Sequence, residues 1–389
     1  MSGPPRILIY AELLSNIRQV SVGCSLPSPC SATTKADVSV DGLTLTIRHE
    51  DDQQSVRLPG RVTASQTLPI HIEGALGISW RLPLASAPST MPLPRLEAQA
   101  VPWSANELQA GCAMNCRSCG SVILPKGVVK VWKDLPSENW AEMMEFWHCH
   151  KPHSHDHDES AEGDLAGRGY GANSRISAQA GVGFVDLTSF LSLDKDCTNL
   201  STRHPKDLVN SGHADTAPKN RAAVHCSTCN TELGVLHEDL VSATLFKWQL
   251  STSAQPQPSL ANCVSSMLMA TLARSGCSKS IITPAGDPSP SGPLLHIWLF
   301  NSNISFTSTE LGGDDSVSAI KVLYRMIGRD EADRISETLT SDVQEISLPR
   351  PAVEGTKGLL QQSSALLPVR DRQFKEWTVG LLEKWQGQI

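Results

Sequence analysis

Two short stretches decide how this chain is read: Cys116-Arg-Ser-Cys119-Gly120 and Cys226-Ser-Thr-Cys229-Asn230. Two residues between cysteines let both sulfurs face one ion from a single tight turn. Two such turns supply the four thiolates of a closed tetrahedral zinc site. Glycine and asparagine, which follow the second cysteine in the two stretches, tolerate a left-handed backbone best, and that helps such a turn close. The turns are separated by residues 120–225. Lengthening the closed loop from about 20 to about 100 residues costs only ~1.4 kcal/mol of closure entropy, against ~10 kcal/mol or more from zinc binding. The spacing therefore predicts one shared structural zinc held by Cys116, Cys119, Cys226 and Cys229. A filled four-thiolate site keeps no position for water, so this zinc would not be hydrolytic.

The rest of the chain agrees with an intracellular, metal-clamped protein. It has 389 residues, enough for two or three domains, with 40% hydrophobic and 19% charged residues. Its net charge is −7, which argues against direct nucleic-acid binding through a basic field. No apolar run reaches the roughly 18 residues of a membrane span, so no membrane contact is expected. Residues 1–10 do not read as a secretory signal. Eleven cysteines without such a signal favour metal ligation over disulfides.

Outward from the clamp, residues 1–100 read as β-rich. Val38 and Val40, Asp41-Gly42, then Leu43, Leu45 and Ile47 alternate around a hairpin turn. Residues 6–10, 55–58 and 69–80 are further strand candidates, and the proline-rich 82–103 reads as a connector. The zinc module spans 105–250, with an exposed insertion at 150–180 rich in His, Asp, Gly and Ser; 182–191 reads as one strand. In 251–389, Leu260, Cys263, Val264, Met267, Leu268, Thr271 and Leu272 fall at helical spacing before Gly276. Residues 296–306 alternate as a strand. Residues 316–327, 329–339 and 371–386 read as helices, the last with Phe374, Trp377, Leu381, Leu382 and Trp385 on one face. The expected class is α+β, a β-rich N-terminal part followed by a β-tent-like clamp and a mixed α/β C-terminal part.

A second motif is Leu135-Pro-Ser-Glu-Asn-Trp140, then Ala141 to His150 with Met144, Trp147 and Cys149. Ser137 can cap a helix that sets Trp140, Met144 and Trp147 on one face and presents Cys149 and His150 at its end. That arrangement suits partner docking with a metal-seeking tip. Two other readings stay open: Trp140 and Trp147 as core residues, and a second metal site built from Cys149, His150 and histidines 153, 155 and 157.

The arrangement CxxCG…CxxCxxxLG resembles the zinc clamp of β-tent folds such as Yippee proteins. Joined with LPSENWxEMxxxWxCH, it resembles the HECT-like ubiquitin-protein ligase family that binds ubiquitin-conjugating enzymes, whose yeast members are linked to mRNA cleavage and polyadenylation. The likeness implies a ubiquitin-conjugating enzyme as partner, with contact regions near 249–275 and 355–389, and a role in promoting ubiquitin transfer. It implies, as an alternative, a non-catalytic chaperone or inhibitor of the polyadenylation endonuclease, a metallo-β-lactamase-fold enzyme whose zinc Cys149 would coordinate. The expected location is the cytoplasm, and also the nucleus if that endonuclease is the partner.

Catalysis stays open at this level. A HECT-type mechanism needs a thioester-forming cysteine, and residues 278–389 contain none. Cys263 reads as core. Cys197 sits beside Asp194 and Asp196, whose charges oppose its thiolate. Cys149, flanked by His148 and His150, has the best surroundings for a nucleophile.

Overall fold

The computed structural model describes residues 6–63, 67–70, 74–85, 101–135, 177–203, 221–237, 241–253, 256–285, 292–311, 315–337 and 342–387. Among the described residues strands predominate and three α-helices accompany them, as an α+β chain requires. The chain forms two compact units, one from residues 1–99 and 260–386, the other from 100–259 and 387–389. Segments that the sequence presents as separate regions thus share the first unit.

That unit is built on a nine-stranded sheet. Its main path runs Gln373–Phe374, Trp377–Glu383, Val317–Ile327, Leu294–Ser308, Leu8–Leu14, Gln19–Ser25, Gly77–Pro83. Lys279–Pro284 also pairs with Leu294–Ser308 and lies parallel to Val343–Leu348. The 15-residue strand Leu294–Ser308 is the spine, since Leu8–Leu14, Lys279–Pro284 and Val317–Ile327 all pair with it. The hairpin read around Asp41-Gly42 is present, Lys35–Val38 pairing with Thr44–His49. Only Gly42 of the two takes a positive φ (70°). Asp41 does not, and its carboxylate accepts hydrogen bonds from the Ser39 hydroxyl and the Leu43 amide, the Asx-type closure that such side chains favour.

Three readings are corrected. Residues 316–327 are not a helix but the strand Val317–Ile327, with buried Ala319 and Leu323 on one face and Ile320, Val322 and Tyr324 on the other. The tail is not a helix either. Lys375, at φ 54°, closes a tight hairpin that pairs Phe374 with Trp377, and Trp377–Glu383 is a strand. Trp377, Val379 and Leu381 share one core cluster at period two. Apolar residues at 374, 377, 381 and 385 satisfy a helical period and Trp377, Val379 and Leu381 a strand period, and pairing with residues 319–324 decides between them. Residues 182–191 form a hairpin of two strands, Val182–Val185 and Ser189–Leu193, rather than one. The helices Leu260–Ser275 and Arg329–Ser336 fall where the spacing puts them, the former ending before Gly276 at φ 71°. A third helix, Arg350–Ser364, was not legible among its proline and two glycines.

The second unit carries a seven-stranded sheet in the order Leu200–Arg203, Arg221–Cys226, Glu232–His237, Ser242–Phe246, Ser189–Leu193, Val182–Val185, Val131–Asp134. A three-stranded sheet, Leu250–Ser251, Met114–Cys116, Val122–Leu124, completes it. Phe190 centres its core, 6.1 Å from Trp103 and 5.1 Å from Trp132. Lys247 is fully buried beside it; its ammonium donates to the Pro102 and Asp186 carbonyls and lies 5.3 Å from the Phe190 ring centre. A buried charge needs such partners.

Candidate metal centre

Each CxxC stretch leaves the end of one strand and enters the next. Met114–Cys116 leads through the first turn to Val122–Leu124, and Arg221–Cys226 leads through the second to Glu232–His237. The two turns share one hydrogen-bond scheme. The Gly120 amide donates to the Cys116 carbonyl, and the Asn230 amide to the Cys226 carbonyl, each at 2.8 Å. The Cys116 amide donates to Ser121 and the Cys226 amide to Thr231, again at 2.8 Å. Gly120 and Asn230 have φ of 78° and 60°, so the residue types at those positions are explained by the backbone they must adopt.

The four sulfurs lie within 4.8 Å of one another. Cys116 Sγ is 3.6 Å from Cys229 Sγ, and Cys119 Sγ is 3.6 Å from Cys226 Sγ. These distances rule out disulfides, and all four are free cysteines. Zinc–sulfur bonds of about 2.3 Å in a tetrahedron put sulfurs roughly 3.8 Å apart, so the set matches a four-thiolate metal site. Cys116 and Cys226 are buried, while the second cysteine of each pair lies nearer to solvent.

Electrostatics prepare two of the thiols. The Thr231 hydroxyl and amide lower the Cys229 pKa to about 6. Burial opposes the Cys226 thiolate, yet the Cys229 and Thr228 amides outweigh it and its pKa is lowered. Burial pushes Cys116 up to about 12, a proton that a metal must displace on binding. The hydroxyls of Ser121 and Thr231 sit 3.3 and 3.2 Å from the Cys119 and Cys229 sulfurs, equivalent places in the two turns.

Residues that the spacing did not single out lock the turns together. The Ser121 hydroxyl donates to Thr228 across the site at 2.9 Å. Asn199, at φ 54°, donates from its side chain to the Val122 carbonyl and accepts the Ser227 amide, each at 2.9 Å. Arg117 reaches the Leu250 carbonyl at 3.0 Å. The Leu233-Gly234 pair is explained by packing. Leu233 is fully buried, and a Cβ on Gly234 would lie 1.9 Å from the Thr244 carbonyl oxygen.

Trp140, Met144, Trp147, Cys149 and His150 lie outside the described residues. The helix Leu260–Ser275, within the 249–275 stretch implied as a contact region, spends its apolar face internally, as read for Cys263: Cys263, Val264 and Leu268 are at most 3% exposed and it packs on Trp377–Glu383 and Arg350–Ser364. Burial, aided by Asp194 and Asp196, pushes Cys197 up to about 12.

No solved structure matches the chain. Among curated proteins, an uncharacterized protein of Schizosaccharomyces pombe is 24% identical over 300 residues, covering 74% of this chain and 79% of the relative. An uncharacterized Saccharomyces cerevisiae protein is 23% identical, covering 71% of each. A Mus musculus protein named as an E3 ubiquitin-protein ligase is 21% identical over 385 residues, covering 92% of this chain and 93% of the relative. The family model described as HECT-like ubiquitin-conjugating enzyme (E2)-binding matches residues 12–379, through both units and the four-cysteine centre. With nearly all of its length matched, the chain belongs to the HECT-like E2-binding family.

Proposed function

We propose that this protein binds a ubiquitin-conjugating enzyme and promotes discharge of its ubiquitin without forming a thioester of its own, on a base held by one structural zinc. The family match across residues 12–379 carries the reading. The chemistry of the cysteines among the described residues supports the non-covalent route, and Cys149, outside them, is the one nucleophile candidate left for substitution to test. Four are taken by the metal centre, and Cys24 and Cys263 are fully buried. Burial pushes Cys24 and Cys197 up to about 12. Cys277 contacts the Ser275 carbonyl and the Gln344 amide, each at 3.7 Å, and no histidine among the described residues. The test is a single-turnover assay with a ubiquitin-charged conjugating enzyme and free lysine as acceptor. Added protein should speed discharge, and Cys149→Ser and Cys277→Ser should each act as well as wild type. Unchanged discharge, together with no complex on a sizing column, defeats the proposal.

A second reading concerns Cys149. The metal centre is complete with four thiolates, so Cys149 and His150 are not needed to fill it. They are then available to an open zinc position in a partner such as a metallo-β-lactamase-fold endonuclease, with Trp140, Met144 and Trp147 as the docking face. Co-purification with that enzyme should fall at least ~100-fold in a Trp147→Ala, Cys149→Ala double variant, as loss of a hot-spot residue predicts; undiminished capture sinks this reading.

A further inference from the structure

One face of the nine-stranded sheet holds a cluster that the conjugating-enzyme reading does not use. His296, on the spine strand, is 3% exposed, and neither of its ring nitrogens has a hydrogen-bond partner among the described residues. Directly across the ladder stands Arg325, whose Nε–H is also buried and without a partner there. Its Nη2 pairs with Glu331 at 2.9 Å. Buried polar groups left unmade cost about 1–3 kcal/mol each, so two neighbouring ones mark a place shaped for something else.

The walls are aromatic. Trp377 meets His296 edge-on at 4.8 Å and lies 4.9 Å beneath the Arg325 guanidinium. Trp298 is 6.0 Å from Trp377, with Lys279 5.7 Å above its ring. Phe300, 57% exposed and 6.0 Å from Trp298, carries the stripe out to solvent. Arg325 is a quarter exposed and stands directly across from His296, so a swing of its side chain would open the way to the imidazole.

Burial, with Arg325 and Lys279 assisting and Asp342 opposing, lowers the His296 pKa to about 4. The ring is therefore neutral and offers one N–H. Beside it the guanidinium offers a second. Two adjacent N–H donors match the two oxygens of a carboxylate. Lys279 and Arg325 already carry Asp342 and Glu331 as counter-charges, so the site has little surplus positive charge. A singly charged ligand fits it better than a phosphate dianion.

We propose that this face binds the carboxylate of a ligand between His296 and Arg325, with the ligand's apolar part lying on Trp298 and Phe300. The inference does not rest on conjugating-enzyme binding, since it is drawn from the unpartnered His296 and Arg325 nitrogens, although Trp377 falls in the 355–389 stretch implied as a contact region. The carboxylate can belong to a peptide's chain end or to an acidic side chain.

The test uses the full-length protein with ¹⁵N-labelled histidine. It is titrated with 3-phenylpropionate, its primary amide and inorganic phosphate, following the His296 ring nitrogens and tryptophan fluorescence. Saturable binding of phenylpropionate near ~1 mM is expected, with the amide and phosphate at least ~10-fold weaker. Arg325→Met should weaken binding about 10-fold. Should that variant fail to fold, Glu331→Gln removes the competing carboxylate and should tighten binding about 3-fold. A phenylalanine-ended peptide binding only with a free terminus assigns the ligand to a chain end; an amidated peptide with an internal glutamate binding as well assigns it to a side chain. Equal binding of the amide, tighter binding of phosphate, no saturable binding, or no effect of Arg325→Met and Glu331→Gln would each overturn the proposal.

Discussion

Replacing Cys226 with serine is expected to strip the metal from the protein and melt the clamp with the sheets it joins. Structural zinc in a thiolate site contributes ~10–16 kcal/mol, while a whole domain is stable by ~5–15 kcal/mol. An ion held by the four sulfurs would fasten Met114–Cys116 and Val122–Leu124 to Arg221–Cys226 and Glu232–His237. Among the described residues the direct ties besides the metal are few: the Ser121–Thr228 bond, the two bonds of Asn199 and those of Thr198 to Val122 and Ile123. At about 1 kcal/mol each, these do not replace the ion. Serine is a poor zinc ligand, so three thiolates remain. Metal analysis should give one zinc per wild-type chain and substantially none in Cys226→Ser. Hydrogen exchange at 114–124 and 221–237 should accelerate by several orders of magnitude. A strong chelator acting on wild-type protein should reproduce the exchange pattern. One zinc per chain retained by Cys226→Ser, with unchanged exchange, would show that the two turns do not share an ion.

The second large effect is expected at Gly234. Adding a single methyl there places Cβ 1.9 Å from the Thr244 oxygen, 2.9 Å from its carbonyl carbon and 3.0 Å from Leu245 Cα. All three are backbone atoms of the neighbouring strand, so no side chain can turn away. The pair Gly234–Leu245 must separate, and both Leu245 and Leu233 are fully buried. Gly234→Ala should therefore cost about 3–5 kcal/mol. Gly120→Ala is the informative control. It strains φ at 78° but meets nothing within 4 Å, so about 1–2 kcal/mol is expected. Denaturant midpoints compare the two. Equal costs would mean that the strand at 242–246 gives way more readily than its burial implies.

The clamp was legible because its chemistry is local: each pair of thiols is set by one turn, and only loop closure depends on the rest. The helix Leu260–Ser275 was legible for a similar reason, with a periodic face and a glycine stop. Residues 317–327 and 377–383 were misread because their apolar residues satisfy two periods, and partner strands far away in sequence choose between them. Asn199 could not be found from spacing, since nothing local says that its side chain will reach Val122. His296 and Arg325 were missed for the same cause: register makes them neighbours, and register is a long-range property.

The spine of the nine-stranded sheet has a further consequence for synthesis. Tyr10 pairs with Ser308, and Leu13 with Ser305. At roughly 5–20 residues per second on the ribosome, the first strands emerge about 15–60 s before their central neighbour exists. Through that interval the hairpin of residues 8–25 presents the open edge Leu8–Leu14, apolar at Leu8, Ile9, Leu13 and Leu14, a template for pairing with nascent chains nearby. Ribosome-proximal chaperones are thus placed to govern the yield of this protein, and slowing translation should lengthen the period of danger.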